Sequence, residues 1–163
     1  MKRLNQIPPP SRVLLRIPVP WVFVLAYILG AGLQLLLPRG GIAPSTRQVL
    51  MIAGVALWLL AAFIAGWALW LFHRRRTTTT PGEISRVLVA GGPYRLSRNP
   101  MYVGIVLAYV GQMCVQALAA PLATLVLAVA YLQSAVIPLE ESRLRETFGE
   151  AYVQYCARIR RWL

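Results

Sequence analysis

Aspartate is absent from this 163-residue chain, histidine occurs once (His73), and cysteine occurs twice, at Cys114 and Cys156. Each scarcity removes a class of chemistry. Without aspartate no Ser/His/Asp nucleophile triad can be assembled. One histidine and two separated cysteines do not supply the ligand set of a tetrahedral metal centre, so no metal is expected. Cys114 falls within an apolar run and Cys156 in a basic tail, so a disulfide between them is not expected either. No G-x-x-x-x-G-K phosphate loop occurs. Charge of any kind is scarce, at 13% of residues against roughly a quarter in a soluble domain.

Hydrocarbon-compatible sequence fills the gap. The hydrophobic class reaches 58% and mean hydropathy is +0.59. Segments 19–37 and 49–72 each meet the length of about 20 apolar residues that a bilayer core requires, and the second carries no charge. Residues 101–139 are also uncharged but too long for one span, and Ala119-Ala120-Pro121 interrupts them. Two shorter helices are therefore predicted, at about 101–117 and 121–139. A signal peptide is not favoured for the first segment, because its leader is long, contains Pro8-Pro9-Pro10 and precedes no small-residue cleavage site. The expected fold is an all-α integral membrane protein, residues 1–163 forming one domain with about four transmembrane helices, a cytoplasmic amphipathic loop and a C-terminal helix.

The net charge of +12 follows the membrane. Fifteen of the 17 basic residues lie in the N-terminal leader, the central loop or the tail, against only Arg39 and Arg47 on the other side. The positive-inside rule then places both termini and the central loop in the cytoplasm, with a bacterial inner membrane as the expected setting. Basic residues flanking spans need no nucleic acid to explain them, and no aromatic-basic recognition module accompanies them. Oligomeric state is not legible.

Chemistry has few places left, and the richest is Gly91-Gly92-Pro93-Tyr94-Arg95-Leu96-Ser97-Arg98-Asn99-Pro100-Met101-Tyr102. Gly-Gly-Pro predicts a tight turn. Asn99 is expected to cap a helix whose first residue is Pro100, which holds Arg98 beside a helix N-terminus. The other reading is a plain loop-to-helix junction with arginines at lipid headgroups. Upstream, after the Thr77–Thr80 connector, Ile84, Val87 and Leu88 fit either a short surface helix or a solvated loop. Downstream, Leu144, Phe148, Tyr152, Tyr155 and Ile159 form one apolar stripe on a tail helix that Gly149 is expected to weaken. Gly104, Ala108 and Gly111 line one face of the third helix and allow close helix packing. Glu140 and Glu141 stand where the fourth span meets the cytoplasm. They are expected either to face a polar cavity or to pair within their helix, Glu140 with Arg143 and Glu141 with Arg145.

Taken together, Gly92-Pro93-Tyr94, Arg98-Asn99-Pro100-Met101-Tyr102-Val103-Gly104, and Glu140-Glu141 followed by Leu144, Phe148-Gly149 and Tyr152/Tyr155 resemble the isoprenylcysteine carboxyl methyltransferase family. The wider group includes the membrane phospholipid methyltransferases. The resemblance covers roughly residues 73–162. It implies an integral membrane enzyme that transfers a methyl group from S-adenosylmethionine, without a Rossmann domain, to a lipophilic small molecule or lipid-linked acceptor drawn from the bilayer. It further implies cofactor-site segments at 83–104 and 139–160. Within them Arg86, Val87, Leu88, Val89, Tyr94, Asn99, Pro100, Met101, Tyr102 and Glu140 would contact the cofactor. Arg98 and Glu140 would carry the catalytic roles, with Arg98 holding a carboxylate and Glu140 the amino or ribose end of the cofactor. Asn99 stands where the family often has histidine, so it suits capping and cofactor contact rather than proton chemistry. Ala135-Val136-Ile137-Pro138 stands where eukaryotic members carry an arginine thought to meet the substrate carboxylate, so a prenylcysteine substrate is not implied. Two other readings remain: a sterol-type membrane reductase using NADPH, and a non-catalytic membrane protein that kept the fold.

Overall fold

The computed structural model describes residues 18–38, 41–74 and 88–163. Helix α1 spans Val19–Leu35 and α2 spans Pro44–Arg74. A one-turn 3-10 segment, Gly92–Arg95, leads into α3, Pro100–Gln116. Helix α4, Pro121–Tyr131, runs on through a wide π turn at Leu132–Val136 into α5, Ile137–Phe148. Helix α6, Glu150–Arg158, follows. Among the described residues there is no strand. Two continuous helical rods are long and apolar enough to cross a bilayer, Pro44–Arg74 and Pro121–Phe148. Helices α1 and α3 are apolar but only 17 residues long.

The second rod outruns its predicted end at residue 139. Proline at 138 cannot donate to the carbonyl one turn back, and its ring crowds that carbonyl. Widening the preceding turn to a π turn relieves both problems, so the rod continues to Phe148. Gly149 then ends it at φ +52, and the predicted single tail helix is in fact two pieces. The apolar stripe survives the break: Tyr152 is fully buried, while Leu144, Phe148, Tyr155 and Ile159 are half-buried.

Helix pairing follows the small residues. Helices α2 and α3 run antiparallel in close contact. Gly104 lies against the Ala61 carbonyl, Trp58 donates its indole N–H to the Ala108 carbonyl at 3.1 Å, and Gly111 meets Gly54. All three predicted positions of the α3 face are thus used. Helix α1 packs on α4, with Gly30 against Pro121 and Thr124. Between the pairs, Tyr109 donates to the Pro121 carbonyl at 3.0 Å and meets Phe23 and Tyr27 edge-on. Phe23, Tyr109, Leu125, Ala128, Leu132, Val136 and Ile137 form the buried core. Buried Gln34 uses one side-chain oxygen to accept the N–H groups of Ala119 and Ala120, at 3.1 and 2.9 Å. It thereby satisfies donors that the start of α4 would otherwise leave orphaned in an apolar setting.

The outer face of α2 remains open, with Leu59, Phe63, Trp67 and Trp70 exposed. A helix apolar on all sides and covered on one suits a lipid environment. The α2–α3 contact allows a stability test. A Cβ on Gly54 would sit 2.6 Å from the Gly111 carbonyl and 2.9 Å from the Val115 nitrogen, both backbone atoms that cannot rotate away. Gly54→Val is expected to destabilise the protein by about 1–3 kcal/mol through overpacking. Gly66, on the same helix, has nothing within 4 Å of a new Cβ. Gly66→Ala should hold or raise the melting temperature in detergent, since alanine is the better helix former. Equal melting temperatures for the two variants would contradict the packing assignment.

Candidate functional site

The geometry of the Gly91–Tyr102 stretch comes from its contacts with α2, α5 and the tail. Gly92 adopts φ +57, a left-handed conformation that favours glycine. A Cβ there would also press on the Trp67 indole at 3.1 Å and on Leu71 at 3.3 Å. The turn therefore rests directly on α2. Tyr94 donates its N–H to the Gly91 carbonyl at 3.1 Å and sets its ring edge-on to Phe72, with centroids 5.7 Å apart. The Tyr155 hydroxyl of α6 donates to the Tyr94 carbonyl at 2.7 Å. Burial pushes that hydroxyl up to about 12, against the opposing pull of Arg98, so it stays protonated as a donor. Burial likewise raises the Tyr94 phenol, assisted by Tyr155 and Glu140 nearby.

Pro100 opens α3 as expected, and Asn99 occupies the cap position. Its side chain does not cap. The Asn99 carbonyl accepts the N–H groups of Tyr102 and Val103, while its side-chain amide donates to the Arg161 carbonyl at 3.0 Å. The tail competes for the amide that a free helix end would have used. Ser97, fully buried, accepts the Asn99 N–H at 3.1 Å and donates to the Arg161 carbonyl at 3.2 Å.

The two carboxylates part company. Glu140 accepts a 2.6 Å hydrogen bond from the Tyr102 hydroxyl, joining α5 to the first turn of α3. Glu141, buried, meets Arg98 Nη1 at 3.3 Å and Arg161 through a fork, Nε at 3.1 Å and Nη2 at 2.7 Å. Glu141 bonds two distant arginines rather than Arg145, whereas Glu140 takes its hydrogen bond from a tyrosine and keeps Arg143 as a nearby opposite charge. Consecutive residues on a helix point about 100° apart, so adjacent glutamates address different neighbours. Of the adjacent pair, the carboxylate that faces Arg98 is Glu141. Hydrogen bonding to Glu141 also raises the already high pKa of Arg161.

Arg98 donates Nη1 to Cys156 Sγ at 2.7 Å, and its Nε is buried with no acceptor among the described residues. A buried guanidinium donor without a partner suits an anionic ligand group. Of the other expected contacts, Val89 is buried, while Leu88, Met101 and Tyr102 are half-buried. Arg86 and Val87 lie outside the described residues, as does most of the segment read as either a surface helix or a solvated loop; its Leu88 is in an irregular stretch. Ser97 and Cys156 fall inside the expected segments 83–104 and 139–160 without having been singled out, and Arg161 and Trp162, beyond those segments, were not legible as site residues. In the sequence Arg161 is one more basic residue of a basic tail, with no spacing to mark it.

Three comparisons bear on the arrangement. A family model described as phospholipid methyltransferase matches residues 49–151, from α2 into the first turn of α6. No curated protein and no solved structure matches the chain. The matched region is more than half of the sequence and contains Tyr94, Arg98, Tyr102 and both glutamates. The chain belongs to the phospholipid methyltransferase family.

Proposed function

We propose that this chain is an integral membrane S-adenosylmethionine-dependent methyltransferase acting on a lipophilic or lipid-linked acceptor, with four spans, both termini in the cytoplasm and the site facing that side. The observation that carries the reading is the convergence, within the family match, of Tyr94, Arg98, Tyr102 and Glu140 around the start of α3. These residues fit the cofactor chemically. Glu140 makes a single hydrogen bond among the described residues, from Tyr102, which leaves acceptor capacity for an amino or ribose group. The unpartnered Nε of Arg98 fits a carboxylate. Tyr94 and Tyr102 offer aromatic surface beside a carboxylate, an environment favourable to a cation. Leu88, Val89, Met101, and Arg86 and Val87 by the resemblance, would complete the pocket.

When bound, S-adenosylmethionine supplies an electrophilic methyl group on a sulfonium. The protein's share is positioning and exclusion of water. Arg98 and Glu140 fix the two polar ends of the ligands, and Tyr102 holds Glu140 in one rotamer. The apolar helices keep bulk water from the reacting centre, where in-line geometry contributes several kcal/mol. A carboxylate acceptor needs no general base, whereas an amine must arrive neutral.

The deciding experiment uses the detergent-purified protein. Titration with S-adenosylmethionine is expected to saturate, and titration with NADPH is not. Membranes incubated with labelled methyl donor are expected to yield a labelled lipophilic product whose identity names the acceptor. Saturable NADPH binding would favour the reductase reading, and saturation by neither cofactor would leave a non-catalytic protein.

A further inference from the structure

The last residues of the chain are fastened across the turn that carries Arg98. Helix α6 ends at Arg158, and Ile159 turns to extended backbone at φ −118, ψ 132. The Arg98 N–H donates to the Arg160 carbonyl at 2.9 Å, and the Arg161 carbonyl takes both Ser97 and Asn99. The Trp162 indole N–H donates to Gln133 Oε1 at 2.8 Å, on the π turn between α4 and α5. Arg161 then closes its fork on Glu141. The segment touches the loop, α5 and the π turn at once.

The division of Glu141 has a consequence for Arg98. One carboxylate serves two arginines, and Arg161 takes the bidentate, shorter share, while Arg98 keeps a single contact at 3.3 Å. Without Arg161, the carboxylate would be free to accept Arg98 bidentately. Arg98 would be drawn off Cys156 and its free Nε spent on Glu141. We propose that Arg161 is a positioning residue: by occupying Glu141 and strapping the tail over Ser97–Asn99, it keeps Arg98 partly unspent and aimed at a ligand carboxylate. This rests on the reading of Arg98 as the residue that holds such a carboxylate. The family match ends at residue 151, so the strap lies beyond it.

The test combines kinetics with amide exchange on the full-length protein in detergent or nanodiscs. Arg161→Gln is expected to raise the KM of one ligand, the one whose carboxylate Arg98 holds, about tenfold, as fits the loss of one charge-assisted contact. The KM of the other ligand should stay within about twofold, and Arg161→Lys, which restores charge without the fork, should fall between. Amide exchange at Arg98 should quicken in Arg161→Gln, while α2 exchange is unchanged. A merely structural role lowers the active fraction, so apparent kcat falls with both KM values unchanged, and that result overturns the proposal. Unchanged exchange at Arg98 overturns it too. If the wild-type protein transfers no methyl group, the methyltransferase reading fails instead, and the exchange measurement still decides whether Arg161 governs the Arg98 turn.

Discussion

Replacing Arg98 by lysine is expected to lower methyl transfer about 100-fold while the protein stays folded, the scale seen when one preorganised donor is removed from a reacting site. Lysine keeps the charge but loses the planar fork and the Nε donor. In the structure the fork has a use: Nη1 serves Cys156 and Glu141, and Nε remains available in a buried position. A lysine ammonium could satisfy the first pair but offers nothing in the direction of Nε. The fold should tolerate the change because Glu141 retains its bidentate partner Arg161. The check is labelled-methyl turnover beside a melting curve. Wild-type turnover in Arg98→Lys would remove Arg98 from the mechanism, and equal losses of turnover and folded protein would reassign it to structure.

The second large effect separates the adjacent glutamates. Glu141→Ala should cost about 3–5 kcal/mol of stability, because it leaves two arginines confronting one another with no anion between them. Their side chains are only 15% and 28% exposed, so water can relieve the repulsion only in part. The tail should detach, and the purified variant should melt well below wild type. Glu140→Gln is the contrasting case. The amide oxygen can still accept from Tyr102, so the melting temperature should hold, while loss of the negative charge weakens cofactor binding about tenfold or more. If Glu141→Ala melted normally and Glu140→Gln did not, the two roles would be exchanged and the site geometry described above would be wrong.

Much of the fold was legible because its main signal is local. A run of apolar residues needs hydrocarbon or a core whatever its neighbours do, so segments 19–37, 49–72 and 101–117 correspond closely to α1, α2 and α3. Pro100 and Gly149 act through their own backbone limits: Pro100 opens a helix where expected, and Gly149, expected only to weaken the tail helix, breaks it in two. The end of the fourth segment was not legible. A proline at 138 ordinarily halts a helix, and only the π turn before it, packed into the core through Leu132 and Val136, carries the rod onward.

By itself, the sequence determined an all-helical apolar chain with one polar motif at the head of α3 and an acidic pair on a later helix, since composition, periodicity and turn chemistry are properties of short segments. Tertiary structure alone decided which partner each polar group takes. Asn99 surrendered its cap to a carbonyl 62 residues away, and Glu141 found Arg161 at 20 residues and Arg98 across the bundle. Gln34 closed the start of a helix 85 residues on. The reason is physical. A polar group excluded from water must be satisfied by whatever donor or acceptor the packing brings within 3 Å or so, and that choice depends on the rotation of each helix about its axis.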